Sequence, residues 1–134
     1  MILVDTNVLL DVFTDDPQWA DWSQHRLEAA SLSDRLAING VIYAELSTRF
    51  GRIEDLDAAL ESAGTILAEI PRPALFLAGK VFLAYRRSGG TRTGVLPDFF
   101  IGAHAAVAKM PLLTRDPGRY RSYFPTAELI APDD

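Results

Sequence analysis

Ile2-Leu3-Val4-Asp5-Thr6-Asn7-Val8-Leu9-Leu10 decides the fold. Three apolar residues make a short strand of the kind buried on both faces of a parallel sheet, and an acid ends it. A helix can start at once. Asp5 or Thr6 caps it, and Val8, Leu9, Val12 and Phe13 recur at helical spacing. Working outward, Asp15-Asp16-Pro17 breaks this helix and starts the next with Pro17 near its first turn, so that Trp19, Trp22, Leu27 and Ala30 face inward. A second strand is expected over 36–38, punctuated by Asn39-Gly40 and followed by helices over 41–49 and 53–62. A third strand over 65–70 is stopped by Pro71. A strongly apolar helix over 74–87 ends in Arg86 and Arg87, which suit the negative helix terminus. The glycine-containing stretch 88–96 reads as a loop, Pro97 opens a helix to about Lys109, and strands follow over 111–113 and 128–130. Strands alternating with helices predict an α/β protein with a central parallel sheet of four to five strands and helices on both faces. Ligands on such sheets bind at the carboxyl ends of the strands.

The length of 134 residues fits one domain, spanning 1–134, and 49% hydrophobic with 23% charged residues is the balance of a globular protein. With no cysteine, disulfides, thiolate zinc sites and a cysteine nucleophile are excluded. The N-terminus has no basic region before its apolar run and no stretch is long enough to span a bilayer, so a cytoplasmic location away from membranes is expected. A net charge of -5 argues against nucleic acid, but its distribution does not. Up to Ile70 there are 13 acids and four bases, whereas 71–97 holds five bases and no acid.

Four acids should meet at the sheet edge. Asp5 follows the first strand and Asp116 follows the fourth. Asp98 lies in the first turn of a helix, where the macrodipole favours a carboxylate, and Glu45 lies in the helix after the second strand. Each has an ordinary alternative as a helix cap, a surface charge or a turn residue. Asp5 and Glu45, however, stand in apolar surroundings with no base beside Asp5, and a buried carboxylate without a partner is expensive. Oxygen ligands alone select a hard ion, Mg²⁺ or Mn²⁺, and His25 and His104 sit at no ligand-pair spacing. Carboxylates around such an ion suit phosphodiester hydrolysis.

These residues resemble a known family. The opening motif at 2–10, Val41-Ile42-Tyr43-Ala44-Glu45, Leu96-Pro97-Asp98-Phe99-Phe100-Ile101-Gly102-Ala103-His104-Ala105 and Leu113-Thr114-Arg115-Asp116 are similar, in order and approximate spacing, to the motifs of PIN domains, particularly toxins of VapBC toxin–antitoxin pairs. The resemblance implies a three-layer α/β/α sandwich, Mg²⁺- or Mn²⁺-dependent endoribonuclease activity, homodimers, and inhibition by a VapB-type antitoxin covering the acidic pocket. It implies Asp5 and Asp98 as principal metal ligands, Glu45 and Asp116 completing the catalytic quartet, and Thr6, Asn7 and Thr114 in supporting positions around them. Gly102 stands where the family often has alanine, which should loosen helix packing slightly.

The chemistry expected is attack of a metal-activated water on an RNA phosphate, leaving a 5′-phosphate and a 3′-hydroxyl. Arg86, Arg87, Arg92 and Arg115 are candidate phosphate contacts, and Arg115, adjacent to Asp116, is the best placed. The spacing of Trp19, Trp22, Phe76, Phe82 and Tyr85 favours core or interface packing over base stacking. Alternatives are a PIN-fold RNA maturation or decay nuclease without an antitoxin, a non-catalytic RNA- or protein-binding module of the same fold, and a haloacid-dehalogenase-type phosphatase. The last wants a second acid where this chain has Asn7.

Overall fold

The structure, a computed structural model, describes residues 1–92 and 94–132. Among them the chain runs β1 (Ile2–Val4), α1 (Thr6–Phe13), α2 (Ala20–Ser33), β2 (Leu36–Ile38), α3 (Gly40–Ser47), α4 (Ile53–Ser62), β3 (Thr65–Leu67), α5 (Arg72–Arg87), α6 (Leu96–Ala108), β4 (Leu112–Leu113), α7 (Gly118–Tyr123) and β5 (Leu129–Ile130). All neighbouring strands pair parallel, in the order β3-β2-β1-β4-β5. The chain therefore builds the sheet away from β1 in one direction, then returns to add β4 on its other side. That reversal makes the β1/β4 junction the topological switch point, where a crevice opens beyond the strand ends.

The three strands β1, β2 and β4 are fully buried, as their unbroken apolar runs require, and helices cover both faces of the sheet. Leu3, Val4, Leu9, Ile38, Ile42, Leu46, Phe99, Ile101, Leu112 and Leu113 form the centre of the core. Asn39 is more than punctuation. Its side chain accepts from the Ile42 amide at 3.0 Å and caps α3, while its Nδ2 faces the buried His104 Nδ1 at 3.1 Å. The amide orientation set by the cap makes Nδ2 the donor, so His104 is neutral with its proton on Nε2, and burial holds its pKa below the usual value. His25 is exposed.

Several expectations change. Pro17 lies in a turn before α2 rather than in its first turn, because the Asp16 carboxylate accepts from the Gln18 and Trp19 amides, both at 2.9 Å. Leu27 and Ala30 are buried, but Trp19 and Trp22 are half-buried and meet edge to face at 5.9 Å. Gly102 tightens the packing instead of loosening it. A Cβ there would stand 2.4 Å from the Phe124 ring, so glycine is what lets α6 close on the segment after α7. Helix α7 has no counterpart in the sequence pattern, where 117–127 carries no periodic signal. Within the loop expected over 88–96, Gly90 lies against the Tyr85 ring and the Arg92 amide donates to the Tyr85 hydroxyl at 3.0 Å, while Thr93 lies outside the described residues. Phe82 and Tyr85 pack with Phe99 as core aromatics, whereas Phe76 is 70% exposed.

Candidate active site

Asp5 leaves β1 at the switch point and caps α1, its Oδ1 accepting from the Thr6 amide at 2.8 Å. Its Oδ2 accepts from Thr114 Oγ1 at 2.8 Å, from Tyr120 OH at 3.0 Å and, at 3.4 Å, from Asn7 Nδ2. Thr114 follows β4 directly, so adjacent strands deliver the acid and its donor to the same edge. Thr6 reaches the other way, its hydroxyl donating to Glu45 Oε1 at 2.7 Å from one turn inside α3. Asp98, in the first turn of α6, pairs with Arg119 and accepts from Tyr120 OH at 3.4 Å. The Asp116 amide donates to Thr114 Oγ1 at 3.1 Å. Asp5, Thr6, Asn7, Leu10, Glu45, Asp98, Asp116 and Tyr120 together line a cleft of about 260 Å³. A larger hollow of about 530 Å³ lies elsewhere, beside β2, where Asp34 pairs with the N-terminal amine at 2.8 Å.

All four acids singled out in the sequence thus face one cleft, and Thr6, Asn7 and Thr114 are bonded to them or to each other. Burial dominates the electrostatics of Asp5, Glu45 and Asp98. Asp5, only 4% exposed, has its carboxyl lifted to about 7 by loss of hydration, against the pull of its hydroxyl and amide donors, and the neighbouring Asp98 lifts it further. Burial also raises Glu45, and it raises Asp98 in spite of the Arg119 guanidinium. Tyr120 is pushed well above the usual phenol value by burial and by the acids around it, so it acts as a donor throughout the physiological range.

The donor set is all oxygen and net negative, which suits a hard divalent cation. Among the described residues, no three acid or histidine side chains converge closely enough to enclose an ion where they stand. The reason is visible. Thr6 holds Glu45, and Arg119 with Tyr120 holds Asp98, so the acids share the wall of the cleft rather than one coordination sphere. The residues fit such an ion in chemistry and count, and among the described residues Asp5 in particular has no basic side chain to neutralise it.

Arg119 and Tyr120 were missed in the sequence. Both sit on α7, six residues of Gly-Arg-Tyr-Arg-Ser-Tyr without an apolar repeat to mark a helix. The one available signal was their place just after the fourth strand, at the edge where chemistry was expected. The arginines considered for phosphate do not line the cleft. Arg86 and Arg87 are exposed at the end of α5, and Arg86 lies 5.9 Å over the Phe82 ring. Arg92 is exposed in the following loop. Arg115 is at the rim, its amide donating to Asn7 Oδ1 at 3.3 Å.

A parallel sheet with acids gathered at its switch point defines a class of α/β proteins that act on ligands through carboxylates. Residues 2–124 match the PIN domain family, and the chain belongs to it. Among curated proteins no relative matches. Solved structures share the fold: VapBC2 from Rickettsia felis, bound to a DNA fragment from the promoter, has a TM-score of 0.74 at 19% identity, covering 99% of this chain and 100% of that one. A toxin–antitoxin complex from Klebsiella pneumoniae gives 0.66 at 20% identity, covering 97% and 96%. FitAcB from Neisseria gonorrhoeae gives 0.67 at 21%, with the same coverage. No helix among the described residues is long and apolar enough to cross a membrane.

Proposed function

We propose that this PIN domain is an endoribonuclease that depends on Mg²⁺ or Mn²⁺, and that it is the toxin of a VapBC-type toxin–antitoxin pair. The observation that carries the reading is Asp5: a buried carboxylate with three further acids facing the same cleft and, among the described residues, no basic side chain paired with it. Such a group is stable as a proton carrier or as a metal ligand, and family membership favours the ligand.

Asp5, Glu45, Asp98 and Asp116 would hold the ion. When bound it supplies a water of lowered pKa and neutralises charge on the phosphoryl oxygens. The protein's own groups do the positioning. Thr114 and Tyr120 fix the Asp5 carboxylate, Thr6 fixes Glu45, and Asn7 ties the end of β1 to the loop after β4. Arg119 partly offsets the negative cleft that an RNA backbone must enter. Cleavage leaves a 5′-phosphate and a 3′-hydroxyl, and no nucleophilic side chain or histidine base takes part. That related folds occur in toxin–antitoxin complexes supports a VapB-type partner, and the family resemblance adds that this partner covers the cleft and that the toxin is a homodimer.

The test is cleavage of a mixed structured-RNA pool in Mg²⁺ or Mn²⁺ against EDTA, with Asp5→Asn and Asp98→Asn proteins alongside. Metal-dependent cutting that disappears in both variants supports the reading. Cutting retained in both variants removes it.

A further inference from the structure

Arg115 is held in an unusual way for a surface arginine. Its Nε donates to Asp11 Oδ2 at 2.8 Å, and Asp11 is only 2% exposed. The same Asp11 oxygen accepts from the fully buried Ser23 hydroxyl at 2.8 Å, so α1 and α2 both brace the pair. The guanidinium lies 5.6 Å over the Trp19 ring, and the backbone amide is bonded to Asn7. Neither Nη nitrogen has a hydrogen-bond partner among the described residues, and the side chain keeps 30% of its surface open. Asp16, the other nearby acid, turns its Oδ1 to the Gln18 and Trp19 amides, and its charge also feels the Arg115 guanidinium, without a hydrogen bond between the two side chains.

A buried ion pair is weak support for stability, since desolvation offsets the attraction. Its consistent effect is to fix geometry. Here it immobilises a planar, permanently charged fork with its outer edge unused, one residue from Asp116 at the rim of a net negative cleft. Resting on the nuclease reading above, we propose that Asp11, Ser23 and Trp19 are positioning residues that hold Arg115 as a preformed phosphate clamp. Its ligand is the phosphate backbone of single-stranded RNA beside the acidic cleft. The clamp supplies, beside the acids, fixed N–H donors on a guanidinium whose charge Asp11 and Asp16 only partly screen on its solvent side. Its rigidity matters because a bidentate phosphate contact is made without freezing a flexible side chain.

The measurement is fluorescence anisotropy of a labelled single-stranded RNA in Mg²⁺, over a salt series, with each variant placed in an Asp98→Asn background that binds without cutting. Arg115→Gln should weaken binding about tenfold and reduce the slope of log K against log salt by about 0.7, because one phosphate is no longer neutralised. Asp11→Asn separates positioning from bulk charge. It removes a negative charge near RNA, so a purely electrostatic contribution predicts tighter binding, whereas the clamp predicts binding several-fold weaker. In otherwise active enzyme, Asp11→Asn should raise KM and leave kcat near its original value. Arg115→Lys, which keeps the charge and can still reach Asp11, guards against loss of folding and should fall between wild type and Arg115→Gln. Unchanged affinity and slope in folded Arg115→Gln, or tighter binding by Asp11→Asn, would overturn the clamp alone. Wild-type protein that neither binds nor cuts RNA would overturn both the clamp and the nuclease reading.

Discussion

Asp5 accepts four hydrogen bonds and still keeps its proton close to neutrality, because burial outweighs its donors. The folded state without metal is therefore sensitive to pH. Between pH 3.8, the ordinary value, and about 7, the unfolded chain has this carboxyl ionised while the folded protein keeps it protonated. The folded state then binds more protons, so stability falls as pH rises through that window and levels off above it. The span corresponds to about 4 kcal/mol, and the raised Glu45 and Asp98 act in the same direction. His104 acts oppositely, since its lowered pKa makes the fold lose stability as pH falls below about 6.5. Denaturant melts in EDTA should therefore weaken as pH rises from 5 to 7, with His104 opposing part of the loss below 6.5, and should level off above that window. Mn²⁺ should stabilise more strongly at pH 8 than at pH 5, and the decline up to pH 7 should shrink in Asp5→Asn. A flat profile from pH 5 to pH 8 would contradict the burial account. The four acids themselves were readable from sequence, because a residue directly after a buried strand or in the first turn of a helix has its place fixed by the topology. Their charge states were not, since these depend on what packs around them from about 100 residues away in the chain, as Thr114 and Tyr120 do on Asp5.

At the level of elements, α6 and α7 show where sequence periodicity stops informing. The strands and longer helices carried their own patterns, so five strands and six helices were legible, with boundary shifts of a few residues such as the later start of α2. Helix α7 has six residues and no stripe, and its existence depends on Tyr120 and Phe124 being buried against α6. Gly102 is the complementary half of that contact. Read from propensity, alanine there should help the helix by up to about 1 kcal/mol. Read from the structure, its Cβ would fall 2.4 Å from Phe124 Cδ2 and force the ring to move. Overpacking of this kind typically costs about 1–3 kcal/mol, so Gly102→Ala should lower the melting midpoint. Because α7 carries Arg119 and Tyr120, the same variant should also reduce RNA cleavage without touching an acid. A rise in the midpoint would mean that Phe124 has room to yield and that propensity wins.

For the whole molecule, charge and apolar surface divide the work. Net charge alone hides an uneven distribution, because the acids lie mainly before Ile70 and the bases after it. The apolar surface points to self-association. On α5, Ala74 and Ala78 are buried and Leu77, Val81, Phe82 and Tyr85 pack on the core. The outward side nevertheless keeps Leu75, Phe76 and Leu83 at 45%, 70% and 41% exposure. A helix that is apolar on most of its circumference is stable when its second face is also covered. Phe76 and Leu83 are seven residues apart and share that face, with Lys80 lying 5.1 Å over the Phe76 ring and Arg87 one turn beyond Leu83. A symmetric pairing of two copies through α5 would bury the phenylalanine of each and leave the flanking cations in solvent. Phe76→Glu should then shift the mass measured by light scattering at micromolar concentration from dimer to monomer. It should leave the circular dichroism spectrum unchanged, because an exposed ring contributes little to the monomer's own core. Wild-type protein that runs as a monomer in the same experiment would show that this face serves no second copy. A dimer that survives Phe76→Glu would show that copies pair through a different surface.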